Sequence, residues 1–213
     1  MSLETFEKQP LEKQQKIVSM GIQEFSAKSY QDVSTDTITR ACGISKGLLF
    51  HYFGSKKEYY LYCLNKALNS LMEQQGVLHK GGFYEILFAS MDAKIKLCKD
   101  HPMETHFVNM ASRENAQEVA LGISQVVEEY KKIMGVQSMI TMRTAVSALP
   151  LKNPEKQRVM EGLLLYVNAV IQKYLTIYQD QPDLFFSNAD MIKTEIKEYL
   201  DLMLKGVCKE EKV

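Results

Sequence analysis

From Leu11 to Val207 apolar residues recur at helical spacing, and nowhere do apolar and polar residues alternate long enough to make a β-strand. That periodicity admits one fold class, an all-α chain of about nine helices, give or take one. Leu11 to Lys28 sets Val18, Gly21, Ile22 and Phe25 on one stripe. A short segment from Thr35 to Cys42 ends at Gly43, and another runs from Ser45 to Phe53. Ser55-Lys56-Lys57-Glu58 is a capping box that opens a long helix striped by Leu61, Leu64, Leu68, Leu71 and Met72. Gly81-Gly82 interrupts the pattern. Beyond it, Phe83, Leu87, Met91, Ile95 and Cys98 line one helix, and Pro102 begins the next, where its missing N–H costs nothing. Asn115 is placed to cap a helix carrying Val119, Ile123, Val126 and Tyr130, with a bend or restart near Gly135. Asn153-Pro154 opens a strong helix with Val159, Leu163, Tyr166, Val167, Val170, Tyr174 and Leu175. After a polar loop around Gln181-Pro182, the last helix carries Ile192, Ile196, Tyr199, Leu200, Met203 and Val207.

A chain of 213 residues can bury a sizeable core in one or two domains. Its 26 basic and 26 acidic residues cancel, so total charge argues for neither nucleic acid nor membrane. The local distribution does argue. Thr37 to Lys57 carries Arg40, Lys46, Lys56 and Lys57 and no acid, which is either a solvated face or a confined electrostatic footprint for a polyanion. Cys42, Cys63, Cys98 and Cys208 are scattered without a C-x-x-C pair, a pattern suited to buried thiols in a reducing cytosol. Glu4, Glu7 and Glu12 make the N-terminus unlike a signal peptide. The longest nearly apolar run, Gly162 to Ile171, falls far short of the ~20 residues a membrane span needs. The expected setting is cytoplasmic, with no membrane partner.

Residues 35–53 read as helix, tight turn, helix. Ile38 and Cys42 face inward, Gly43 supplies a left-handed turn, Ile44 plugs the corner and Ser45 caps the second helix. Leu49 and Phe53, one turn apart, anchor that second helix. Advancing about 100° per residue places Gly47 and His51 opposite those anchors, with Leu48 and Tyr52 on one flank and Lys46 and Phe50 on the other. Such a helix suits a DNA major groove. Its N-terminal dipole is positive, glycine permits close approach, Tyr and Lys can hold phosphates, and Leu48 can meet a thymine methyl.

The run from Thr35 to Glu58 (TDTITRACGISKGLLFHYFGSKKE) closely resembles the TetR-type DNA-binding signature, with turn, aromatic pair and capped Ser-Lys-x-Glu helix in order and spacing. The likeness reaches back to Phe25, Tyr30 and Val33, and Thr39 and Cys42 depart from the alanines usual there. The resemblance implies a three-helix DNA-binding head over residues 1–57 and an effector-binding and dimerisation body over 58–213. It implies a homodimer on palindromic double-stranded operator DNA, and DNA contacts from Thr35, Ser45, Lys46, Gly47, Leu48, His51, Tyr52 and Lys56.

Competing signals are weaker. Gly43-Ile44-Ser45-Lys46-Gly47 matches the nucleophile elbow of hydrolases, but that elbow needs a strand before it and none is expected, so the chain reads as no enzyme. His101 and His106 flank Pro102 without a further ligand set, so no metal or cofactor is expected. A small organic effector is implied by the family; the residues offered for it are His106, Met110, Tyr130, Arg143 and Tyr166, against the simpler reading of surface and core positions. The helix around Leu163–Val167 is apolar on both sides, which leaves Leu164, Leu165 and Asn168, with Tyr199 and Met203 of the last helix, for a second subunit. Two other classes stay open: a sequence-neutral architectural DNA binder, and a helical small-molecule-binding protein without DNA function.

Overall fold

The computed structural model describes residues 3–72, 80–151 and 156–205. Among them run α1 (Leu3–Glu7), α2 (Leu11–Ala27), α3 (Thr35–Cys42), α4 (Lys46–Phe53), α5 (Lys56–Ser70) and α6 (Phe83–Asp100). They are followed by α7 (Pro102–Arg113), α8 (Gln117–Ser147), α9 (Lys156–Ile177), α10 (Pro182–Ser187) and α11 (Ala189–Leu204). The chain is all-α, as its periodicity requires. The expected opening at Asn153-Pro154, the tail position Val207 and Cys208 lie outside the described residues.

One short helix is added and two local readings are corrected. Helix α1 is too short to show a period, and it exists because Phe6, fully buried, packs its ring 5.4 Å from Tyr52 and 4.7 Å from Phe53. Helix α10 occupies the expected polar loop, with Pro182 in its first turn. Helix α8 runs unbroken through Gly135, because an exposed glycine inside a long helix costs only about 1 kcal/mol against alanine. Helix α8 begins at Gln117, two residues past Asn115. The Glu114 carboxylate does the organising, accepting from the Ala116 amide at 2.9 Å and the Tyr30 amide at 2.7 Å.

The chain forms two compact units, Met1–Glu73 with Asp100–Lys131, and Gln74–Lys99 with Lys132–Val213. The expected functional border at residue 57 falls inside the first. That unit packs α2 against α3, α5 and α7. Phe25 stacks on Phe107 at 5.7 Å, and Tyr60 meets Phe107 edge-on at 5.1 Å, so α7 closes the core beneath the N-terminal helices.

Gly21 explains how closely α2 and α5 approach. A β-carbon there would lie 2.4 Å from the Tyr59 hydroxyl and 2.6 Å from the Cys63 sulfur. Tyr59 donates to the Ile17 carbonyl at 2.6 Å, and the Cys42 and Cys63 thiols lie on the neighbouring carbonyls of Lys16 and Val18. Three side chains thus sit on successive carbonyls of one helix. Burial pushes the Tyr59 hydroxyl and the Cys63 thiol up, which keeps both as donors.

The second unit is built on Phe83, Ile86 and Leu87 of α6, Met142, Ala145 and Val146 of α8, Leu163, Val167 and Val170 of α9, and Ile192, Ile196 and Leu200 of α11. Polar clamps flank this core. Glu195 accepts from Lys173 at 2.9 Å and from the Tyr174 hydroxyl, and Asp201 accepts from Lys197 at 2.7 Å and from Tyr84.

Candidate nucleic-acid interface

Helices α3 and α4 are short, and each is defined at both ends by its own sequence. Ser34 accepts the Asp36 amide at 3.3 Å to start α3. Gly43 ends it at φ 70° and ψ 31°, in the left-handed region, and the Ile44 amide reaches back to the Thr39 carbonyl at 3.0 Å. Ser45 then caps α4 by accepting from the Leu48 amide at 3.1 Å, and Ser55 caps α5 by accepting from Glu58 at 3.1 Å. With these caps in place, the turn between α3 and α4 needs only Gly43, Ile44 and Ser45.

Helix α4 is anchored on one side and open on the other. Leu49 is fully buried, and Phe53 packs against Phe6, Tyr59 and Tyr62. Ser45, Lys46, Gly47 and His51 are exposed and Leu48 is half-buried. No atom comes within 4 Å of a β-carbon built on Gly47 except the Ser45 hydroxyl at 3.9 Å, so a partner backbone can approach there. Arg40 and Thr37 of α3 are exposed as well.

Three of the residues expected outside are not. Tyr52 is only 4% exposed, its ring held between Phe6 and Phe53, and its hydroxyl takes a hydrogen bond from Lys13 at 3.2 Å. An angular reading of α4 alone could not see that α1 and α2 cover this flank. Thr35 is buried, and the exposed hydroxyl at that helix end belongs to Ser34. Lys56 folds back, its ammonium 4.7 Å from the Tyr30 ring centre and donating to the Gln31 carbonyl at 3.3 Å. Burial pulls the Lys56 pKa down, while Glu118, Asp32 and Glu114 oppose that shift.

The geometry adds residues that the motif did not single out. Lys13 of α2 stands beside Tyr52, bonded also to Gln9 at 3.0 Å, and nothing in its local pattern marks it. Asp36 pairs with Lys46 at 3.0 Å on the open edge; it sits one residue before the acid-free stretch, where a count of charges stops short of it.

Elsewhere the expected groups are dispersed. His106, Met110 and Tyr130 belong to the first unit, Arg143 and Tyr166 to the second. Arg143 is exposed and the other four are half-buried. A surface hollow of about 320 Å³ in the first unit is lined by Leu3, Tyr52, Phe53, Gly54, Glu58, Leu61 and Tyr62, none of them offered for the effector. Leu165, Asn168, Tyr199 and Met203 are exposed and Leu164 is half-buried. The Gly43–Gly47 segment joins two helices, so it lacks the strand a nucleophile elbow stands on. No helix among the described residues is long and apolar enough to cross a membrane.

Comparison with known proteins agrees with this geometry. The family model described as bacterial regulatory proteins, tetR family, matches residues 17–62. No curated protein sequence matches the chain. Among solved structures, a TetR family transcriptional regulator from Chloroflexus aurantiacus is similar at 18% identity and a TM-score of 0.52, over 97% of this chain and 98% of that one. A tetR-family regulator from Streptomyces coelicolor gives 17% identity and 0.58, over 92% and 82%. TylP, a tetR regulator from Streptomyces fradiae, gives 13% and 0.57, over 93% and 88%. At such identities the structures show the fold alone, and the sequence match resides in the head. Residues 17–62 are thus similar to the tetR family of bacterial regulatory proteins, and the chain shares the fold of solved TetR-family transcriptional regulators.

Proposed function

We propose that this protein is a one-component transcriptional repressor that binds a palindromic operator as a homodimer and is released by a small organic effector. The observation that carries the reading is the open outer edge of α4, with Lys46, Gly47 and His51 exposed above a buried Leu49 anchor. A capped helix with a positive N-terminal end and a glycine on its outer edge is shaped for a major groove. The set of contacting residues supported by the geometry is Ser45, Lys46, Gly47, Leu48 and His51, joined by Arg40 and Thr37.

Dimerisation is supported by the exposed apolar residues on α9 and α11: Leu165 at 71%, Tyr199 at 50% and Leu202 at 60% exposure. A face of that kind calls for a protein partner. A two-fold dimer sets its two recognition helices about one DNA turn apart, ~34 Å. The effector reading is supported within the second unit by Gln137, whose side-chain oxygen is buried without a hydrogen-bond partner and so would welcome a donor. An effector preferring one arrangement of the dimer would shift the population that fits the operator.

Selection of preferred sites from a random duplex pool with the full chain tests the proposal. A two-fold symmetric consensus is expected, followed by a ligand screen scored by operator release. Diffuse binding with no preferred sequence would reject the repressor reading in favour of an architectural one.

A further inference from the structure

The edge of the head that faces outward carries a charge pair that the fold does not require. Lys46, the first residue of α4, donates from Nζ to the Asp36 carboxylate at 3.0 Å, with side chains 50% and 58% exposed. Both helices already have their caps, from Ser34 and Ser45, and their anchors, from Ile38, Cys42, Leu49 and Phe53. An exposed pair of this kind adds little to stability. Its consequence is electrostatic and lies toward a polyanion. Among the basic residues at 40, 46, 56 and 57, Lys46 is the one seated on α4 itself. Its charge is already matched by a carboxylate that phosphates repel.

A duplex that offers only phosphates therefore gains little from Lys46, because freeing it leaves Asp36 unpaired beside negative charge. A duplex that presents a base donor to Asp36 removes that penalty. Of the two exocyclic amines that the major groove presents, on cytosine and on adenine, the cytosine amine is the usual partner of a carboxylate. We propose that Asp36 is a specificity-determining residue: it holds Lys46 back from the phosphates of non-operator DNA and yields it where a cytosine amine takes over the carboxylate. This rests on the DNA-binding reading above.

The test uses the full chain as wild type, Asp36→Ala, Asp36→Ser, Lys46→Ala and the double variant Asp36→Ala/Lys46→Ala. Binding is measured by anisotropy on random-sequence duplex and on the selected site with each cytosine replaced in turn, and thermal melting confirms that each variant is folded. Asp36→Ala should bind random duplex up to about fivefold tighter, the ceiling for an exposed pair. Its salt slope should steepen by roughly 0.9 as Lys46 gains a phosphate. In the wild type, replacing one cytosine should cost roughly five- to 150-fold, and that cost should vanish in both Asp36 variants. An unchanged salt slope, an equal gain in the Lys46→Ala background, or a cytosine preference that survives loss of Asp36 would each overturn the inference. If the wild type binds a sharp consensus while Asp36→Ala behaves like it, this inference alone fails. If the wild type binds no duplex at all, the functional proposal fails with it.

Discussion

Helices α4 and α11 both leave one face uncovered, and the two faces have opposite chemistry. On α4, Leu49 and Phe53 are buried at 0% and 6% exposure while the outer edge shows Ser45, Lys46, Gly47 and His51. On α11, Ile192, Ile196 and Leu200 fill the core while Met191, Tyr199, Leu202 and Met203 stand open at 46%, 50%, 60% and 45%. A polar edge with a positive helix end can remain in water until a polyanion arrives. An apolar face of several large side chains is unfavourable in water and points to a protein surface. The contrast teaches that an exposed face has to be read by its chemistry, since exposure alone names no partner.

The largest expected effect comes from removing the anchor of α4. Leu49→Ala should cost about 2–5 kcal/mol by thermal or urea unfolding, the range for a fully buried leucine. A loss below 1 kcal/mol would mean that α4 is not held as the comparison requires. Gly21→Ala should follow, at about 1–3 kcal/mol from overpacking against Tyr59 and Cys63, partly offset by better helix propensity. If the protein gained stability instead, the close contact of α2 with α5 would be wrong.

Leu165→Asp addresses the apolar face, since Leu165 is 71% exposed and touches little within its own chain. Protomer folding should change by no more than about 0.5 kcal/mol, as for surface substitutions generally. Association should weaken by about 1–2 kcal/mol or more, as for a central interface residue. Sedimentation across a concentration series reads this directly, and an unaltered dimer would place the interface elsewhere.

The smallest effect concerns Glu195. The hydrogen bond from Tyr174, then that from Lys173, holds its carboxyl below the usual carboxylate value. A depressed folded pKa adds stability that is present above the unfolded pKa and is lost as pH falls through the folded one. The melting-temperature gap between wild type and Glu195→Gln should therefore be present at neutral pH and close in acid. A gap independent of pH would show that the clamp acts through packing rather than charge.

Local chemistry was legible in the residues themselves. The helical period, the Gly43 turn, the Ser45 and Ser55 caps and the open position of Gly47 and His51 each depend on neighbours within one or two turns, and the structure reproduces them. Legibility failed where a distant element decides. Tyr52 is turned into the core by Phe6 and Lys13, Lys56 is drawn back by Tyr30, and Glu114 accepts from the Tyr30 amide, 84 residues away in sequence.

The amino-acid order by itself determined that this chain is helical, where α4 starts and stops, and that Gly47 and His51 lie opposite its buried anchors. Caps, turn and period are satisfied by atoms already close along the backbone. Tertiary structure decided which flank of that helix is covered and that α7 shares a core with α2 and α5. It also decided that Asp36 meets Lys46, because these contacts join residues whose separation along the chain leaves no periodic trace.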